Sequence, residues 1–264
     1  MIQTDSMTLA VERAAIDRLK EARAIEPHPI YASADEVVRY VREMQNADFA
    51  LAHAITTAEA EGLQAEVAML KRNRASTDVA VSRQVAQAGR RAASNRRQAI
   101  ETLNGIFRLG SPPEQPLDGD YRGQLTTPAL SGPIDSFGRV LARFWLPWKG
   151  KQFDASTHSG DNLLTPSARV VGHLFAPTFN DYKRYKKGLY KALMFKTSVG
   201  PSVHDRDVST VKLDYDLPEN PRFLVRSVLD ELVQITGNYY LGKAYLRGKA
   251  GYKLAAFFAL QKER

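Results

Sequence analysis

The stretch NYYLGKAYLRGKAGYKLAAFFALQKE, residues 238–263, is typical of a β-hairpin. Two runs of aromatic and aliphatic residues flank the turn sequence GKAG. Upstream, further short runs of β-branched and aromatic residues alternate with polar residues, and they lie at residues 120–127, 149–155, 161–166, 168–177, 189–200 and 208–217. About seven antiparallel strands at this spacing predict a barrel or a strongly curved sheet, and closure of the sheet removes its exposed edges.

Two helices are predicted among these strands. Residues 133–147 begin with a proline, which suits the first turn of a helix, and carry apolar residues at helical spacing. Residues 220–236 place their apolar residues on one side of a helix. Since helices do not alternate with strands and no glycine-rich phosphate loop follows a strand, a doubly wound α/β fold is disfavoured.

The N-terminal region follows a helical pattern instead. A first helix is predicted at about residues 8–24, and Pro27 and Pro29 separate it from a second helix that starts near Ala34. Ser33 and Asp35 are plausible caps for that second helix. From there to Leu109 the sequence has no proline. It forms either one helix of roughly 100 Å or a hairpin that breaks near Gly62 or in residues 73–78.

A linker rich in proline and glycine, residues 109–120, divides the chain. We therefore predict two domains, a helical oligomerisation region at residues 1–110 and a β-barrel at residues 111–264. The predicted fold class is α+β, with a long helical arm or hairpin followed by an antiparallel calycin-like barrel with two helices.

The helical region predicts self-association. Its apolar positions are largely alanine, and residues 83–98 hold Val85 as their only large aliphatic residue. A helix with so thin an apolar face buries too little to stand free in water. We expect a homo-oligomer, most simply a dimer, with this region in the interface.

Composition excludes several classes of chemistry. The chain has no cysteine, which removes disulfides, thiolate metal sites and cysteine nucleophiles. Its five histidines lie far apart without metal-ligand spacing, so neither a metal nor a cofactor is expected. The first residues lack the pattern of a secretory signal, and the sequence has no run of about 20 apolar residues, the length needed to span a bilayer. A cytoplasmic location is the expectation.

Charge is unevenly distributed. Residues 1–110 hold 15 Lys and Arg against 14 Asp and Glu, which leaves 22 against 15 for the rest of a chain whose net charge is +8. The most basic stretch, residues 180–191, mixes lysines and tyrosines, a composition that suits single-stranded nucleic acid or an anionic membrane. A solvated hairpin loop accounts for it as well. Nucleic-acid binding is therefore a secondary alternative, and peripheral membrane contact stays open.

Three stretches of the sequence resemble a known family, namely PWKGKQF (147–153), VSTVKLDYDLPENP (208–221) and the final hairpin. Their order resembles that of the GXWXG/DUF4334 group of bacterial proteins, and the hairpin also resembles that of lipocalin-type barrels. The first glycine of the GXWXG motif is replaced by Leu146. The resemblance implies a barrel with an interior for a hydrophobic or aromatic small molecule, and it transfers no catalytic residue.

Candidate ligand-binding residues follow from this interpretation. Trp145 is expected to pack in the core, whereas Trp148 follows Pro147 at a strand entry and suits a pocket wall. Lys151 either neutralises a ligand anion or is an exposed lysine at the rim. The predicted ligand-binding set is Tyr121, Trp148, Lys151, Phe153, Tyr190, Tyr240 and Lys243.

The leading hypothesis is binding of a hydrophobic or aromatic, lipid-like small molecule in the barrel. The alternative is an isomerase, lyase or cyclase that acts on an apolar substrate in the same cavity. His173, in a strand, and Asp214, in the sequence KLDYD, are the candidate catalytic residues. Catalysis requires both residues to lie at one cavity with Tyr121 and Lys243. The alternatives are that His173 is a hydrogen-bonded residue of the core and that Asp214 is solvated.

Overall fold

The computed structural model describes residues 2–29, 31–128, 148–168, 181–222 and 224–263. The chain divides into two compact units. The helical unit comprises Met1–Leu109 and Gln234–Tyr239, and the barrel unit comprises Gly110–Val233 and Tyr240–Arg264. The division after Leu109 falls in the linker, but the short segment Gln234–Tyr239 belongs with the helices.

The helical unit contains four helices, α1 Ile2–Ala24, α2 Ala34–Ala60, α3 Gln64–Arg91 and α4 Arg96–Phe107. Ser33 caps α2 in a capping box, in which its side chain accepts from the Glu36 amide and Glu36 accepts from the Ser33 amide. The chain breaks at Gly62, whose φ of +75° suits a residue without a side chain. None of the helices in the described ranges is long and apolar enough to cross a membrane.

These helices pack on one another, so the region is a small bundle. Helix α2 packs against α1, α3 and α4. The buried apolar residues include more large side chains than the alanine-rich stretch 83–98 suggests, among them Tyr40, Met44, Leu51, Leu70, Leu103, Ile106 and Phe107. The thin apolar face of α3 is compensated by its neighbours in the same chain, so a second subunit is not required to cover it.

The segment Gln234–Tyr239 is held in the helical unit by two aspartates. Asp48 on α2 accepts a hydrogen bond from the Gly237 amide at 2.9 Å. Asp78 on α3 accepts from the Thr236 hydroxyl at 2.7 Å and from the Asn238 amide at 3.1 Å. Three polar groups of a tight turn are thereby satisfied by two carboxylates.

The sheet has nine strands among the described residues: β1 Gly119–Pro128, β2 Trp148–Asp154, β3 Ser159–Leu164, β4 Lys183–Arg184, β5 Tyr190–Pro201, β6 Ser209–Asp214, β7 Val228–Thr236, β8 Tyr239–Gly248 and β9 Gly251–Lys262. Their order in the sheet is β3-β2-β1-β9-β8-β7-β6-β5-β4. A further pairing of β3 with β5 closes eight of the strands into a barrel, and the short strand β4 pairs with β5 outside the ring. All of the pairings with a known register are antiparallel. The predicted α+β fold with a closed antiparallel barrel is confirmed.

One of the two helices predicted in this region is wrong. Residues 220–236 form a short 3-10 turn at Val225–Ser227 and then strand β7. Both faces of β7 are buried, so its apolar residues do not alternate with polar ones, and such a run also fits one side of a helix. The other predicted helix, residues 133–147, lies outside the described residues, as does most of the strand predicted at 168–177.

Candidate functional site

A pocket lies within the barrel unit and encloses about 90 Å³. It is open on one side, and most of its wall is apolar. Among the described residues, six side chains with polar atoms interrupt that wall. We refer to five of them, Trp148, Lys151, Asn162, Tyr215 and Asp230, as the Lys151 cluster, whereas the sixth, Tyr245, makes no hydrogen bond to them. The apolar part of the lining includes Leu164, Leu193, Leu224, Val225, Val228, Ala244, Ala255 and Phe258.

Two leucines of this wall adopt backbone angles that favour glycine. Leu193 has φ of +58° and Leu224 has φ of +67°. Leu193 lies where the pairing of β3 with β5 shifts in register, and its carbonyl accepts a hydrogen bond from the Asn162 amide at 3.0 Å. Non-glycine residues in this conformation are strained and cluster at functional sites in proteins. The strain here falls on two lining residues.

Lys151 is the centre of the polar cluster. Its side chain points into the barrel from β2 and is buried, although lysine rarely is. Its Nζ donates to Asp230 Oδ2 at 2.9 Å, to Asn162 Oδ1 at 3.0 Å and to the Tyr215 hydroxyl. A buried ammonium with a carboxylate partner and all three hydrogens bonded meets the conditions under which a charge can be kept inside a protein.

Aromatic rings surround the same ammonium group. Four ring centroids lie 5.1–5.6 Å from Lys151 Nζ, and they belong to Trp148, Phe195, Tyr215 and Phe258. Such distances allow a cation–π attraction, which is stronger where water is excluded. The barrel thus encloses its own lysine in an aromatic cage.

Glycines provide the space for three of these rings. A Cβ atom at Gly123 would lie 2.3 Å from the Trp148 ring, and one at Gly160 would lie 2.5 Å from the Phe195 ring. A Cβ atom at Gly242 would lie 2.2 Å from the Phe258 ring. The far end of each ring therefore lies close against a glycine, and a larger residue at any of the three positions would displace the ring.

The electrostatics of the cluster reflect its burial. Burial lowers the pKa of Lys151, and the nearby Asp230 carboxylate opposes that shift. Burial also raises the pKa of Tyr215 well above its usual value, and Asp230 adds to the shift. Tyr215 therefore keeps its hydroxyl hydrogen and can donate it, at 3.2 Å, to Asp230 Oδ2.

A second buried lysine–aspartate pair lies elsewhere in the barrel unit. Lys243 on β8 donates to Asp205 at 2.7 Å, and both side chains are almost fully buried. Neither residue lines the pocket. The pair resembles Lys151–Asp230 in charge, distance and burial, and it therefore serves as an internal control for the pocket.

The predicted ligand-binding residues fall into three groups. Trp148 and Lys151 line the pocket, and Lys151 is buried and not at an exposed rim. Tyr121, Phe153 and Tyr240 belong to the barrel core, where the Tyr121 ring packs edge-on against Phe153 at 5.1 Å and Tyr240 at 5.5 Å. The two remaining candidates are placed outside the lining, namely Tyr190 and Lys243.

The predicted catalytic residues are not brought together by the described structure. Asp214 is exposed at the end of β6, which agrees with the solvated alternative. Lys243 pairs with Asp205 away from the pocket, and Tyr121 lies in the aromatic core. His173 lies outside the described residues. The described ranges also contain no group of three or more histidine, aspartate or glutamate side chains that could hold a metal ion.

Sequence reasoning missed Asn162, Tyr215 and Asp230. Alternation along β6 places Tyr215 with Val211 and Leu213, and the structure puts all three in the barrel core. That pattern treats the tyrosine as an apolar residue and gives no signal for its hydroxyl. Asp230 lies in the segment 220–236 that the pattern predicts as a helix, so its position inside the barrel does not follow from the sequence. An acidic residue inside an apolar run is nevertheless a signal of a buried partner.

The basic stretch at residues 180–191 forms ion pairs and hydrogen bonds with nearby polar side chains in its described part. Lys186 and the Tyr185 hydroxyl both bind Asp120, and Lys191 donates to Gln152 at 2.9 Å. Lys183 lies 3.5 Å from Asp181. Cations paired in this way favour the solvated hairpin over a nucleic-acid surface.

Comparisons with known proteins add little to this geometry. No protein-family model matches the sequence, and no curated protein matches it. Among solved structures, a crystal structure of a protein from Thermomonospora curvata matches with 15% identity and a TM-score of 0.36. The match covers 67% of this chain and 99% of that one. The resemblance to the GXWXG/DUF4334 group and to lipocalins stays a prediction.

Proposed function

We propose that the barrel binds a small hydrophobic or aromatic molecule in the pocket at the Lys151 cluster. The observation that carries the proposal is the buried Lys151–Asp230 pair at a mainly apolar, open pocket. Ligand pockets of proteins combine a mainly apolar wall with a few polar groups that orient the ligand. The strain at Leu193 and Leu224 in the same wall supports the assignment.

The size of the cavity limits what can enter. The pocket volume of about 90 Å³ is smaller than the roughly 150 Å³ of a protein cavity that holds one benzene molecule. A whole lipid chain does not fit in that space. The ligand is therefore either a compact molecule or a longer one whose end group reaches the Lys151 cluster while its body extends through the open side.

Native mass spectrometry of the full-length protein purified from its own host tests the proposal. Ala255 lines the pocket and is buried, so Ala255→Phe fills the cavity, whereas Ala93→Phe makes the same change at an exposed position. We expect wild type and Ala93→Phe to carry the same small molecule and Ala255→Phe to lack it. An empty wild-type protein, whose melting temperature no small apolar compound raises, would refute the proposal.

A second candidate function is catalysis on an apolar substrate, as an isomerase, lyase or cyclase. The observation in its favour is that Lys151, Tyr215 and Asp230 converge on one pocket, as acid–base groups of an active site do. The bound molecule identified above is the compound to assay. Conversion that is lost in Asp230→Asn and kept in Asp205→Asn supports catalysis, and a ligand recovered unchanged from wild type leaves binding alone.

A further inference from the structure

Every donor hydrogen of the Lys151 cluster is bonded within the chain. Lys151 has three, which go to Asn162, Tyr215 and Asp230. The indole N–H of Trp148 goes to Asn162 Oδ1 at 3.1 Å. The Tyr215 hydroxyl hydrogen goes to Asp230 Oδ2. The cluster therefore keeps no hydrogen from these three groups for a ligand.

The Asn162 amide completes this count. One of its two hydrogens goes to the Leu193 carbonyl at 3.0 Å, and the other goes to the Tyr215 hydroxyl at 3.2 Å. The Tyr215 oxygen then accepts from Asn162 and Lys151, and Asn162 Oδ1 accepts from Trp148 and Lys151. Both oxygens are saturated with two hydrogen bonds each.

Asp230 is the exception. Its Oδ2 accepts from Lys151 and Tyr215, but its Oδ1 accepts no hydrogen bond from any residue in the described ranges. Asp230 lines the pocket, and its Oδ1 is not fully buried, so a molecule in the pocket can contact this oxygen. A carboxylate oxygen in an apolar wall is costly to leave without a donor.

We propose that the ligand presents a hydrogen-bond donor, a hydroxyl or N–H group on a small apolar body, and that Asp230 Oδ1 accepts its hydrogen. This inference rests on the proposed function and specifies its ligand class. A ligand that offers only acceptors finds no unused donor in the cluster. The Tyr245 hydroxyl has no partner in the described structure, but its oxygen is fully buried and does not face the open pocket. An anionic ligand is disfavoured as well, because the charge of Lys151 is already balanced by Asp230.

Two pairs of compounds of matched shape test the inference on the wild-type, full-length protein. Phenol and toluene differ in a hydroxyl against a methyl group, and pyrrole and furan differ in an N–H donor against an oxygen acceptor. The dissociation constants are measured by isothermal titration or ligand-observed NMR. We expect the donor of each pair to bind about ten- to hundredfold more tightly, the range that hydrogen bonds to charged groups span.

The outcomes separate this inference from the proposed function. If toluene and furan bind as tightly as phenol and pyrrole, the pocket binds apolar molecules but the donor inference is wrong. If none of the four compounds binds while all are soluble at millimolar concentration, the proposed function of this pocket fails together with the inference.

A substitution identifies the oxygen concerned. In Asp230→Asn, an amide that keeps its oxygen toward Lys151 presents its N–H₂ to the pocket, so the preference should move from pyrrole toward furan. Asp205→Asn makes the same change at the second buried pair and should keep the wild-type preference. A folded Asp230→Asn protein that still prefers pyrrole would overturn the assignment of Asp230. If that variant does not fold, the wild-type compound pairs decide alone.

Discussion

Asp230 and Glu231, consecutive residues of β7, anchor two separate buried polar networks. Asp230 accepts from Lys151 at 2.9 Å, whereas Glu231 accepts from the Ser202 hydroxyl at 2.6 Å and from the Val203 amide at 2.7 Å. Consecutive strand side chains point to opposite faces of a sheet, which explains why the networks do not merge. The two networks lie on opposite faces of the same strand, so the effects of substitutions in one network can be compared with those in the other.

Lys151→Met tests the buried ion pair. The substitution leaves Asp230 in the barrel without its counterion, and breaking a buried pair in this way costs about 3–5 kcal/mol in the free energy of unfolding. Urea unfolding measures the loss. We also expect the preference for phenol over toluene to change, because Tyr215 and Asn162 lose a partner.

Lys243→Met is the matched control for that variant. It removes a lysine of similar burial that pairs with Asp205 at 2.7 Å outside the pocket. We expect this protein to lose stability as well but to keep the wild-type preference between the two compounds. Equal changes in ligand preference in both variants would show that general destabilisation, and not the Lys151 cluster, controls binding.

Gly123→Ala tests the packing of Trp148. The new Cβ atom would lie 2.3 Å from the indole ring, so the ring must move and its hydrogen bond to Asn162 is strained. Overpacking of this kind costs about 1–3 kcal/mol. Gly200→Ala is the control, because its Cβ atom meets only Lys212 Cε, at an ordinary 3.6 Å. Equal unfolding midpoints for the two variants would contradict the proposed role of Gly123.

Local signals in the sequence predicted local structure well. The cap at Ser33 depends on neighbours a few positions away, and the structure confirms it. Gly62 is one of two break positions that the sequence offers as alternatives to a continuous helix, and the structure has a break there. The strand β7 was mistaken for a helix because burial on both faces removes the period of two. Asp230 was assigned to the wrong element for that reason.

The Lys151 cluster depends on contacts that no local pattern records. Lys151 and Asp230 are 79 positions apart, and Lys151 and Tyr215 are 64 apart. Closing the sheet brings β2, β6 and β7 around one interior. The sequence predicted a barrel with Trp148 and Lys151 near its pocket, but the partners of the lysine follow only from the register of strands on opposite sides of the ring.

Self-association of the helical unit remains a proposal, and Phe49 offers a test. This side chain on α2 is 60% exposed and borders an alanine-lined groove between α1 and α2. We expect light scattering to show a dimer, since closed two-fold contacts are the commonest. Phe49→Glu should dissociate it, whereas Val79→Glu, also at an exposed position, should not. A wild-type monomer at high concentration would exclude the dimer.

Asp78 and Asp216 predict opposite effects of pH on stability. Burial raises the pKa of Asp78, and hydrogen bonds from Arg247 and Arg226 lower the pKa of Asp216. The folded protein therefore binds a proton at Asp78 more tightly than the unfolded chain does. The contribution of Asp78 is most favourable below its unfolded pKa and declines as the pH rises through the folded value. Asp216 contributes stability above its unfolded pKa that is lost as the pH falls.

Urea unfolding of Asp78→Asn and Asp216→Asn from pH 3 to pH 7 separates the two effects. At pH 7, Asp78→Asn should be at least as stable as wild type, since the amide oxygen can still accept from Thr236 and the Asn238 amide without the cost of a buried charge. Asp216→Asn should be less stable there, and its difference from wild type should shrink toward pH 3, because the unfolded wild-type chain binds a proton at Asp216 at a higher pH than the folded protein does. If Asp78→Asn is instead destabilised more at pH 7 than at pH 3, the ionised carboxylate stabilises the turn and the burial argument for Asp78 is wrong.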